Sequence, residues 1–390
     1  MRIAFFTDSY LPNVDGVVTT ICNYRRELER LGHEVYIFSP GTKTQKDENK
    51  DERVYYFTST AFKPYPDYRI AIFNFFSPVK LVKELGFDII HSHGVATTGI
   101  AAIQSSQKLG IPAVASFHTF LPEAVHYISS NRNVQNILQG VATKYLSWYY
   151  SGYKKVIAPS IFAKKVLESW GIKNVAVHPA GIELEKFASI TGTARIENSA
   201  AIRKEFGIPK ASNVVLHVSR IAMEKNIEML IEAAPSIINL VPQTKFVIVG
   251  KGPAEAHYKN LVERKGLSQH FIFTGYVANE KLPLLYSTAD VFAFPSAFET
   301  QGLVVLEAMA CGTPAVVKVG GAASEFIVDG KNGCIFTDHF DFHDKIVFAM
   351  KNKQILGKNA IETVQDYDIR KNTEKLVEIY KSCIGNSGTK

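Results

Sequence analysis

The sequence of 390 residues lacks the features of disulfide-bonded, secreted and membrane-spanning proteins. Its four cysteines form no Cys-x-x-Cys pair and no spacing typical of a metal site, which indicates the reduced thiols of a cytosolic protein. Asp8 interrupts the first apolar run, so a secretory signal peptide is not expected. No window approaches the length of about 18 apolar residues that a membrane-spanning helix needs. Any contact with a membrane is therefore expected to be peripheral.

Acidic residues are absent from one long stretch of the first half, between Glu123 and Glu168. Residues 1–180 also carry +6 of the net charge of +7. The acid-free stretch combines basic and aromatic residues: Arg132, Lys144, Lys154, Lys155, Lys164, Lys165, Tyr127, Tyr145, Trp148, Tyr149, Tyr150 and Tyr153. This combination is typical of a surface that contacts an anionic membrane. The alternative is a buried helix with a solvated lysine edge, whereas a nucleic-acid partner is disfavoured because no binding motif occurs.

Strands and helices alternate along the first half. The pattern predicts strands at 3–7, 34–39, 88–93 and 113–117, a helix at 16–30 and a surface loop at 43–53. Such alternation favours a doubly wound parallel sheet, that is, a Rossmann-like α/β domain.

A second alternating unit follows Pro179-Ala180-Gly181. The pattern predicts strands at 213–218, 245–249, 271–274, 291–294 and 315–317, and helices at 227–240, 254–265 and 281–287. The small and polar stretch 189–199 is predicted to be a loop. The expected domains are 1–183 and 184–368. Because parallel sheets bind ligands at the carboxyl ends of their strands, the functional residues are expected there.

Two glutamates eight residues apart, Glu299 and Glu307, are the strongest functional signal. The first precedes a predicted apolar helix and the second lies inside it. The helix N-terminus presents the backbone amides of Gly302, Leu303 and Val304, where free N–H groups and the helix dipole attract phosphate. A diphosphate between two carboxylates predicts a nucleotide-sugar, with sugar hydroxyls on one carboxylate and ribose hydroxyls on the other.

Two cations, Arg220 and Lys225, follow the predicted strand 213–218. Arginine supplies a planar fork and lysine a point charge, so together they can clamp a diphosphate leaving group. No Asp-x-Asp pair ends a predicted strand, so no metal is expected, and side-chain cations are expected to stabilise the leaving group instead.

Two glycines stand at turns that follow predicted strands. Gly250 follows the strand 245–249, where the missing side chain allows either close approach of a nucleotide or a tight turn. Gly16 stands at the entrance of the first helix, whose N-terminal N–H groups are expected to face a phosphate. His118 lies just past the strand 113–117 and is a candidate ligand contact whose protonation depends on its surroundings.

These motifs resemble the retaining glycosyltransferases of family four, which have the GT-B fold of two Rossmann-like domains facing each other across a cleft. The resemblance covers almost the whole chain and rests on Ser-Arg-Ile-x-x-Glu-Lys-Asn at 219–226, Gly-Lys-Gly-Pro at 250–253, His-Thr at 118–119 and Glu-Thr-Gln-Gly-Leu at 299–303. Ser219 replaces the usual glycine of the first motif, and Asp15 replaces the first of two glycines before the first helix. Glu-Thr-Gln-Gly-Leu is closest to the branch that glycosylates diacylglycerol-type lipids.

The resemblance implies roles for individual residues. Glu299, His118, Arg220 and Lys225 are the expected catalytic residues. The expected donor contacts are Gly16, Arg220, Lys225, Gly250, Tyr276, Val277, Leu282, Glu299, Gly302, Leu303, Val304 and Glu307. The first domain is expected to bind the acceptor and the second the nucleotide-sugar, with a last helix at about 369–390 packing back on the first domain.

The implied reaction is transfer of a hexose, with retention, from UDP-glucose to a membrane glycerolipid. The protein is expected to be cytoplasmic and held peripherally at the inner face of an anionic membrane, with no cofactor beyond the nucleotide-sugar. Three alternatives stay open. The first is a GDP-mannose-dependent enzyme acting on a phospholipid or polyprenyl acceptor, because the choice of base rests on the backbone near Tyr276, which the sequence does not determine. The others are a UDP-sugar 2-epimerase-type isomerase and a soluble synthase of the sucrose or trehalose type.

Overall fold

The structure is a computed structural model that describes residues 1–13, 15–62, 65–73, 76–122, 131–188, 193–296 and 298–385. The chain divides into two compact units, Met1–Gly181 together with Ile369–Lys390, and Ile182–Asp368. The second unit is therefore an insertion between the body of the first unit and its last helix. The division falls two residues before the predicted boundary at 183/184.

The first unit contains an eight-stranded sheet. Its strands are β1 (Arg2–Phe6), β2 (Glu34–Gly41), β3 (Val54–Phe62), β4 (Tyr65–Ala71), β5 (Ile89–Ser92), β6 (Ala113–Ser116), β7 (Lys155–Ala158) and β8 (Val175–Val177). They lie in the order β4-β3-β2-β1-β5-β6-β7-β8, and of the described pairings β3–β4 is antiparallel while the others are parallel. Every residue of β5 and β6 is buried, as in a sheet covered on both faces.

Seven described helices accompany this sheet: α1 (Gly16–Arg30), α2 (Lys43–Glu48), α3 (Phe76–Leu85), α4 (Thr97–Leu109), α5 (Arg132–Ser151), α6 (Ile161–Ser169) and, at the end of the chain, α15 (Ile369–Gly385). The prediction of a loop at 43–53 is wrong for its first six residues, which form α2. Thr42 and Gln45 make a reciprocal capping box there, which stabilises a helix in an otherwise polar run.

Three tyrosines at the end of α5 and just after it point into the protein. Tyr149, Tyr150 and Tyr153 are at most 4% exposed and belong to the core, whereas Trp148 is 58% exposed. The alternative of a buried helix is therefore correct for these tyrosines, and the expectation of an aromatic surface holds for Trp148. Tyr127 lies outside the described residues.

Asp8 ties the end of β1 to the start of α4. Its buried carboxylate accepts the backbone N–H groups of Val95 (2.6 Å) and Ala96 (2.8 Å) and the hydroxyl of Thr98. A carboxylate is favourable at a helix N-terminus because it satisfies free N–H groups and faces the positive end of the dipole. A Cβ at Gly94 would lie 2.5 Å from the carboxyl carbon of Asp8, so this loop requires glycine.

The last helix, α15, packs beside α1 in the first unit. The Tyr380 hydroxyl lies 2.6 Å from Nδ1 of His91, and the Lys154 ammonium donates to the carbonyl oxygen of Cys383 at 2.6 Å. Tyr380 and Cys383 are buried. Residues 386–390 of the predicted helix lie outside the described part of the chain.

The second unit contains a six-stranded parallel sheet. Its strands are β9 (Asn213–Val218), β10 (Thr244–Val249), β11 (Phe271–Gly275), β12 (Val291–Phe294), β13 (Ala315–Lys318) and β14 (Gly333–Phe336). They lie in the order β11-β10-β9-β12-β13-β14. The first five match the predicted strands within one residue at each end, and β14 was not predicted.

The helices of the second unit are α7 (Leu184–Ala188), α8 (Thr193–Glu205), α9 (Ile227–Leu240), α10 (Glu255–Arg264), α11 (Leu282–Thr288), α12 (Leu303–Ala310), α13 (His339–Lys351) and α14 (Lys353–Val364). The loop predicted at 189–199 is wrong from Thr193 onward, where α8 begins, and residues 189–192 lie outside the described part. Arg203 anchors this helix by donating to the carbonyl oxygens of Pro209, Ser212 and Thr288. Composition alone does not reveal such an anchor.

None of the described helices is both long and apolar enough to cross a membrane.

Four buried histidines predict that acid destabilises the protein. Burial lowers the pKa of His178 and His217 to about 4 and the pKa of His91 and His93 well below 6.5. The unfolded chain therefore binds more protons than the folded protein below pH 6.5. Stability should be fully present above that pH and fall toward pH 4, by about 1.4 kcal/mol per pH unit for each histidine.

Urea unfolding at about pH 7 and about pH 5 measures this slope. The variant His217→Asn keeps an amide N–H for the carbonyl of Ala293 but does not titrate, so its slope should be smaller by one histidine's share. Equal unfolding free energies at the two pH values would contradict the prediction.

Candidate active site

Lys225 and Glu299 form an ion pair at the carboxyl edge of the second sheet. Lys225 ends a short 3-10 helix (Met223–Lys225) after β9, and Glu299 lies in the loop after β12. The ammonium donates to Oε1 of Glu299, and the Ser296 hydroxyl lies 3.4 Å from the same oxygen. The two side chains are only 18% and 19% exposed. The structure thus joins two residues for which the sequence predicted separate ligand contacts.

Asn226 sets the direction of the chain beside Lys225. Among the described non-glycine residues it alone has a positive φ, 52°. It directly follows the 3-10 helix and directly precedes α9. Asparagine tolerates this left-handed conformation better than most residues do. The turn it makes places Lys225 at the sheet edge rather than inside α9.

The turn that carries Arg220 is packed against the turn that follows β10. The Ser219 N–H donates to Val249 O (3.1 Å) and the Ile221 N–H to Lys251 O (3.0 Å). A Cβ at Gly250 would lie 1.9 Å from the Ser219 oxygen. Of the two open explanations for Gly250, the structure therefore shows the tight approach of backbone to backbone, and a contact with the donor stays a prediction.

Ser219 has a partner that the family's glycine lacks. His217 is fully buried, with Nδ1 2.9 Å from the carbonyl oxygen of Ala293 and Nε2 2.7 Å from the Ser219 hydroxyl. A carbonyl oxygen only accepts, so Nδ1 carries the proton and Nε2 accepts from Ser219. Burial lowers the pKa of His217 to about 4, which keeps the ring neutral. This bond steadies the residue next to Arg220.

The N-terminus of α12 has the geometry predicted for a phosphate site. Gly302 precedes the helix in the left-handed conformation, with φ of 87°, and no side chain caps the helix there. A Cβ at Gly302 would lie 3.2 Å from Cβ of Ala323, so glycine is favoured by both space and conformation. Leu303 and Val304 are the first helical residues, and their contact with a phosphate stays a prediction.

Glu307 has a buried partner that the sequence did not reveal. The hydroxyl of Tyr286, on α11, donates to Oε2 of Glu307 at 2.8 Å, and Tyr286 is fully buried. Burial raises the pKa of Glu307, and the hydrogen bond from Tyr286 opposes that rise. Because the tyrosine lies 21 residues earlier in the chain, no local pattern links the two.

The three residues predicted near the nucleobase differ in exposure. Tyr276 follows Gly275, whose φ is 71°, and presents a ring that is 56% exposed. Val277 is buried in the core, and Leu282 packs against that core. The structure therefore leaves the Tyr276 side chain accessible, whereas Val277 and Leu282 contribute to the core of the second unit.

Asp15 occupies the N-terminus of α1 in the first unit. Its carboxylate accepts the N–H groups of Val17 and Val18, both at 2.8 Å. The aspartate that replaces a glycine thus caps the helix itself, and the expected contact of this helix N-terminus with a phosphate stays a prediction. Gly16 has open space where a side chain would stand, which keeps it accessible to a ligand.

His118 belongs to a group of histidines at the end of β5 and β6. Its Nε2 lies 2.9 Å from Nδ1 of the buried His93. Burial lowers the pKa of His118 to about 4, so the ring is neutral at physiological pH. Gly16 and His118 thus lie in the first unit, and the other predicted site residues lie in the second.

No group of three or more histidine, cysteine, aspartate or glutamate side chains in the described part of the chain is arranged to hold a metal ion.

Comparison with known proteins identifies the family. Residues 14–186 match the model of Glycosyltransferase Family 4, and residues 198–366 match that of Glycosyl transferases group 1. The chain is 32% identical to the alpha-monoglucosyldiacylglycerol synthase of Acholeplasma laidlawii, over 94% of this chain and 93% of that protein. It is also 32% identical to the synthase of the same name from Streptococcus pneumoniae, over 90% and 78%. The chain therefore belongs to glycosyltransferase family 4, and it is a retaining glycosyltransferase.

Solved structures agree on the fold. The Anabaena protein HepE, crystallised with UDP-glucose, has a TM-score of 0.75 at 20% identity and covers 98% of this chain and 100% of its own. Sucrose-phosphate synthase from Thermosynechococcus elongatus has a TM-score of 0.78 at 21% identity, with 99% of both chains covered. The predicted α/β fold of the GT-B class is confirmed.

The pairing of Lys225 with Glu299 generates a prediction. Lys225→Ala and Glu299→Ala should each lower the rate of sugar transfer about 10²–10³-fold, since each removes a preorganised charge from the reacting groups. The fold should persist because both side chains retain some exposure, but the urea midpoint should fall because each variant leaves the partner's charge largely buried and unpaired.

Transfer rate and urea midpoint are measured for both variants. A matched control is Lys265→Ala, which breaks the exposed ion pair with Glu232 (2.8 Å) in the same unit and should leave the rate unchanged. Near-wild-type transfer by either site variant would contradict the assignment.

Proposed function

We propose that the protein transfers glucose from UDP-glucose to the free hydroxyl of diacylglycerol, with retention of the anomeric configuration. The observation that carries this proposal is the 32% identity, over 94% of the chain, to a protein named for making alpha-monoglucosyldiacylglycerol. The motif Glu-Thr-Gln-Gly-Leu at 299–303 supports the same branch of the family, which glycosylates diacylglycerol-type lipids.

The donor is proposed to bind at the carboxyl edge of the second sheet. Arg220, Lys225 and the first amides of α12 would hold the diphosphate, since they follow the neighbouring strands β9 and β12 and both cations and free N–H groups attract phosphate. Glu307, steadied by Tyr286, would accept the ribose hydroxyls. Support for UDP comes from the similar fold of HepE, which was crystallised with UDP-glucose.

Donor binding would require an exchange of partners at Lys225. In this structure its ammonium is held by Glu299. An incoming diphosphate carries more charge than a carboxylate and would draw Lys225 to itself. Glu299 would then be released to accept the hydroxyls of the sugar.

The proposed chemistry keeps both partners on one face of the sugar. The bond from the anomeric carbon to the diphosphate oxygen breaks, and a bond to the acceptor oxygen forms on the same side. The acceptor proton passes to the leaving phosphate oxygen, so no protein nucleophile is required. Arg220 and Lys225 stabilise the developing negative charge, where preorganised donors contribute most. His118 is proposed to hydrogen-bond the donor sugar or the diphosphate.

The first unit is proposed to bind the acceptor. A polar cavity of about 180 Å³ lies at the ends of β1 and β2, lined in part by Ser9, Thr42, Gln45 and Arg69. Neither a cofactor nor a metal is part of the proposal, in which the nucleotide-sugar is the only other substrate.

A GDP-mannose-dependent reaction is the second candidate. It is supported by 25% identity, over 90% of the chain, to the GDP-mannose-dependent alpha-mannosyltransferase of Corynebacterium glutamicum. The lower identity makes it the weaker candidate.

A product assay tests the reaction. The protein is incubated with UDP-glucose or GDP-mannose and with vesicles that contain diacylglycerol, and lipids are analysed by mass spectrometry. We expect diacylglycerol to gain one hexose with UDP-glucose alone. A hexose transferred from GDP-mannose, a product on a soluble sugar, or a free 2-epimer without any glycoconjugate would each overturn the proposal in favour of the corresponding alternative.

We also propose that the protein works peripherally on the cytoplasmic face of an anionic membrane, through one side of α5. Val134, Ile137, Val141 and Trp148 are 40%, 68%, 59% and 58% exposed and lie on one face of the helix by their spacing. Lys144 is on the same helix and no acidic residue occurs on it. An exposed apolar face flanked by positive charge fits the interface of an anionic bilayer.

Binding to vesicles tests this surface. Ile137→Asn and Trp148→Ala should each weaken binding to phosphatidylglycerol-containing vesicles about tenfold, because each withdraws an apolar side chain from the interface. Ile355→Asn is the matched control, since Ile355 is 67% exposed on α14 of the second unit. Equal binding by all three variants would contradict the proposed surface.

A further inference from the structure

Three histidine rings form a line in the first unit, from α15 to His118. His91 lies 2.6 Å from the Tyr380 hydroxyl through Nδ1 and 2.8 Å from the Ser116 hydroxyl through Nε2. Its ring is stacked obliquely on that of His93, with centroids 4.0 Å apart. His93 in turn lies 2.9 Å from His118, through Nδ1 of the first ring and Nε2 of the second.

The ring of His93 is held firmly in place. It is 5% exposed and packs edge-on against Phe5, with centroids 4.7 Å apart. Phe5 itself is fully buried in β1. A ring fixed on one face by His91 and on another by Phe5 can orient a neighbour without moving itself.

One proton lies in the hydrogen bond between His93 and His118, and the surroundings determine which of the two rings donates it. Burial lowers the pKa of both rings, so both are neutral and each carries a single N–H. Nε2 of His93 is buried and has no hydrogen-bond partner. If Nε2 carried the proton, the structure would hold an orphaned buried N–H, which is rarer in proteins than an unpaired acceptor.

We propose that His93 is a positioning residue that donates from Nδ1 to Nε2 of His118 and thereby fixes the ring plane and tautomer of His118. His118 then carries its own proton on Nδ1. Any hydrogen bond that Nδ1 of His118 makes is then one in which it donates. This inference rests on the proposed function for the role of His118 in donor binding, and the tautomer itself does not depend on that role.

Nitrogen-15 NMR of the full-length protein with labelled histidines tests the tautomer directly. At about pH 7 the two ring nitrogens of a neutral histidine differ in chemical shift, so protonated and bare positions are distinguished. Signals are assigned with His93 and His118 variants. We expect a bare Nε2 and a protonated Nδ1 on His118. A proton on Nε2 of His118 in the wild-type protein would overturn the proposal.

Two substitutions at His93 separate positioning from simple packing. His93→Asn places an amide N–H close to the position of the original Nδ1–H and should keep the tautomer of His118 and kcat/KM within about twofold. His93→Leu fills similar space without a donor, should lose the single tautomer and should lower kcat/KM about tenfold. Equal losses in the two variants would show that only packing matters.

Tyr380→Phe is the matched control within the same cluster. It removes the hydroxyl that contacts His91 and leaves the His93–His118 bond in place. We expect altered His91 signals and an unchanged tautomer of His118, and a changed His118 tautomer would contradict the proposal. Absence of glucosyl transfer in the wild-type protein would refute the proposed function alone, because the NMR measurement needs no substrate.

Discussion

The close approach of the turn after β9 to the turn after β10 is the constraint on which the second unit depends. Gly250 leaves no room for a side chain against the Ser219 oxygen, and the two turns exchange backbone hydrogen bonds. Buried backbone groups need partners, and here the turns provide them for each other without a ligand. Arg220 therefore extends from a rigid support, steadied further by the bond between Ser219 and His217. Preorganisation of this kind reduces the reorganisation that accompanies charge development.

The ion pair between Lys225 and Glu299 gives the same site a second property. Two opposite charges that are four-fifths buried neutralise each other, so neither is left uncompensated before substrate arrives. A ligand that offers only an anion, or only hydroxyl groups, would bind one of the two side chains and leave the other without a partner. A nucleotide-sugar offers both chemistries in one molecule. Under the proposed function, the pair would therefore favour the complete donor over either of its fragments.

Much of this organisation was predictable from sequence because it is local. Strand and helix periodicity located five strands of the second sheet, and Gly302 before an apolar run located the start of α12. The features that the sequence did not reveal have non-local or capping causes. Arg203 stabilises α8 through distant carbonyl groups, Tyr286 reaches Glu307 from another helix, and Asp15 fills the helix N-terminus that a glycine would leave open. Periodicity carries no information about such partners.

The insertion of the second unit has a consequence for the biosynthesis of the protein. All of Ile182–Asp368 leaves the ribosome before α15 is made, so the second unit can fold while the chain is still growing. The first unit begins earlier yet finishes later, because His91 meets Tyr380 and Lys154 meets Cys383 only at the end of synthesis. Until then the surface of the first unit that α15 covers in the complete protein is exposed. The half of the protein made first is thus the half exposed longest to chaperones and proteases.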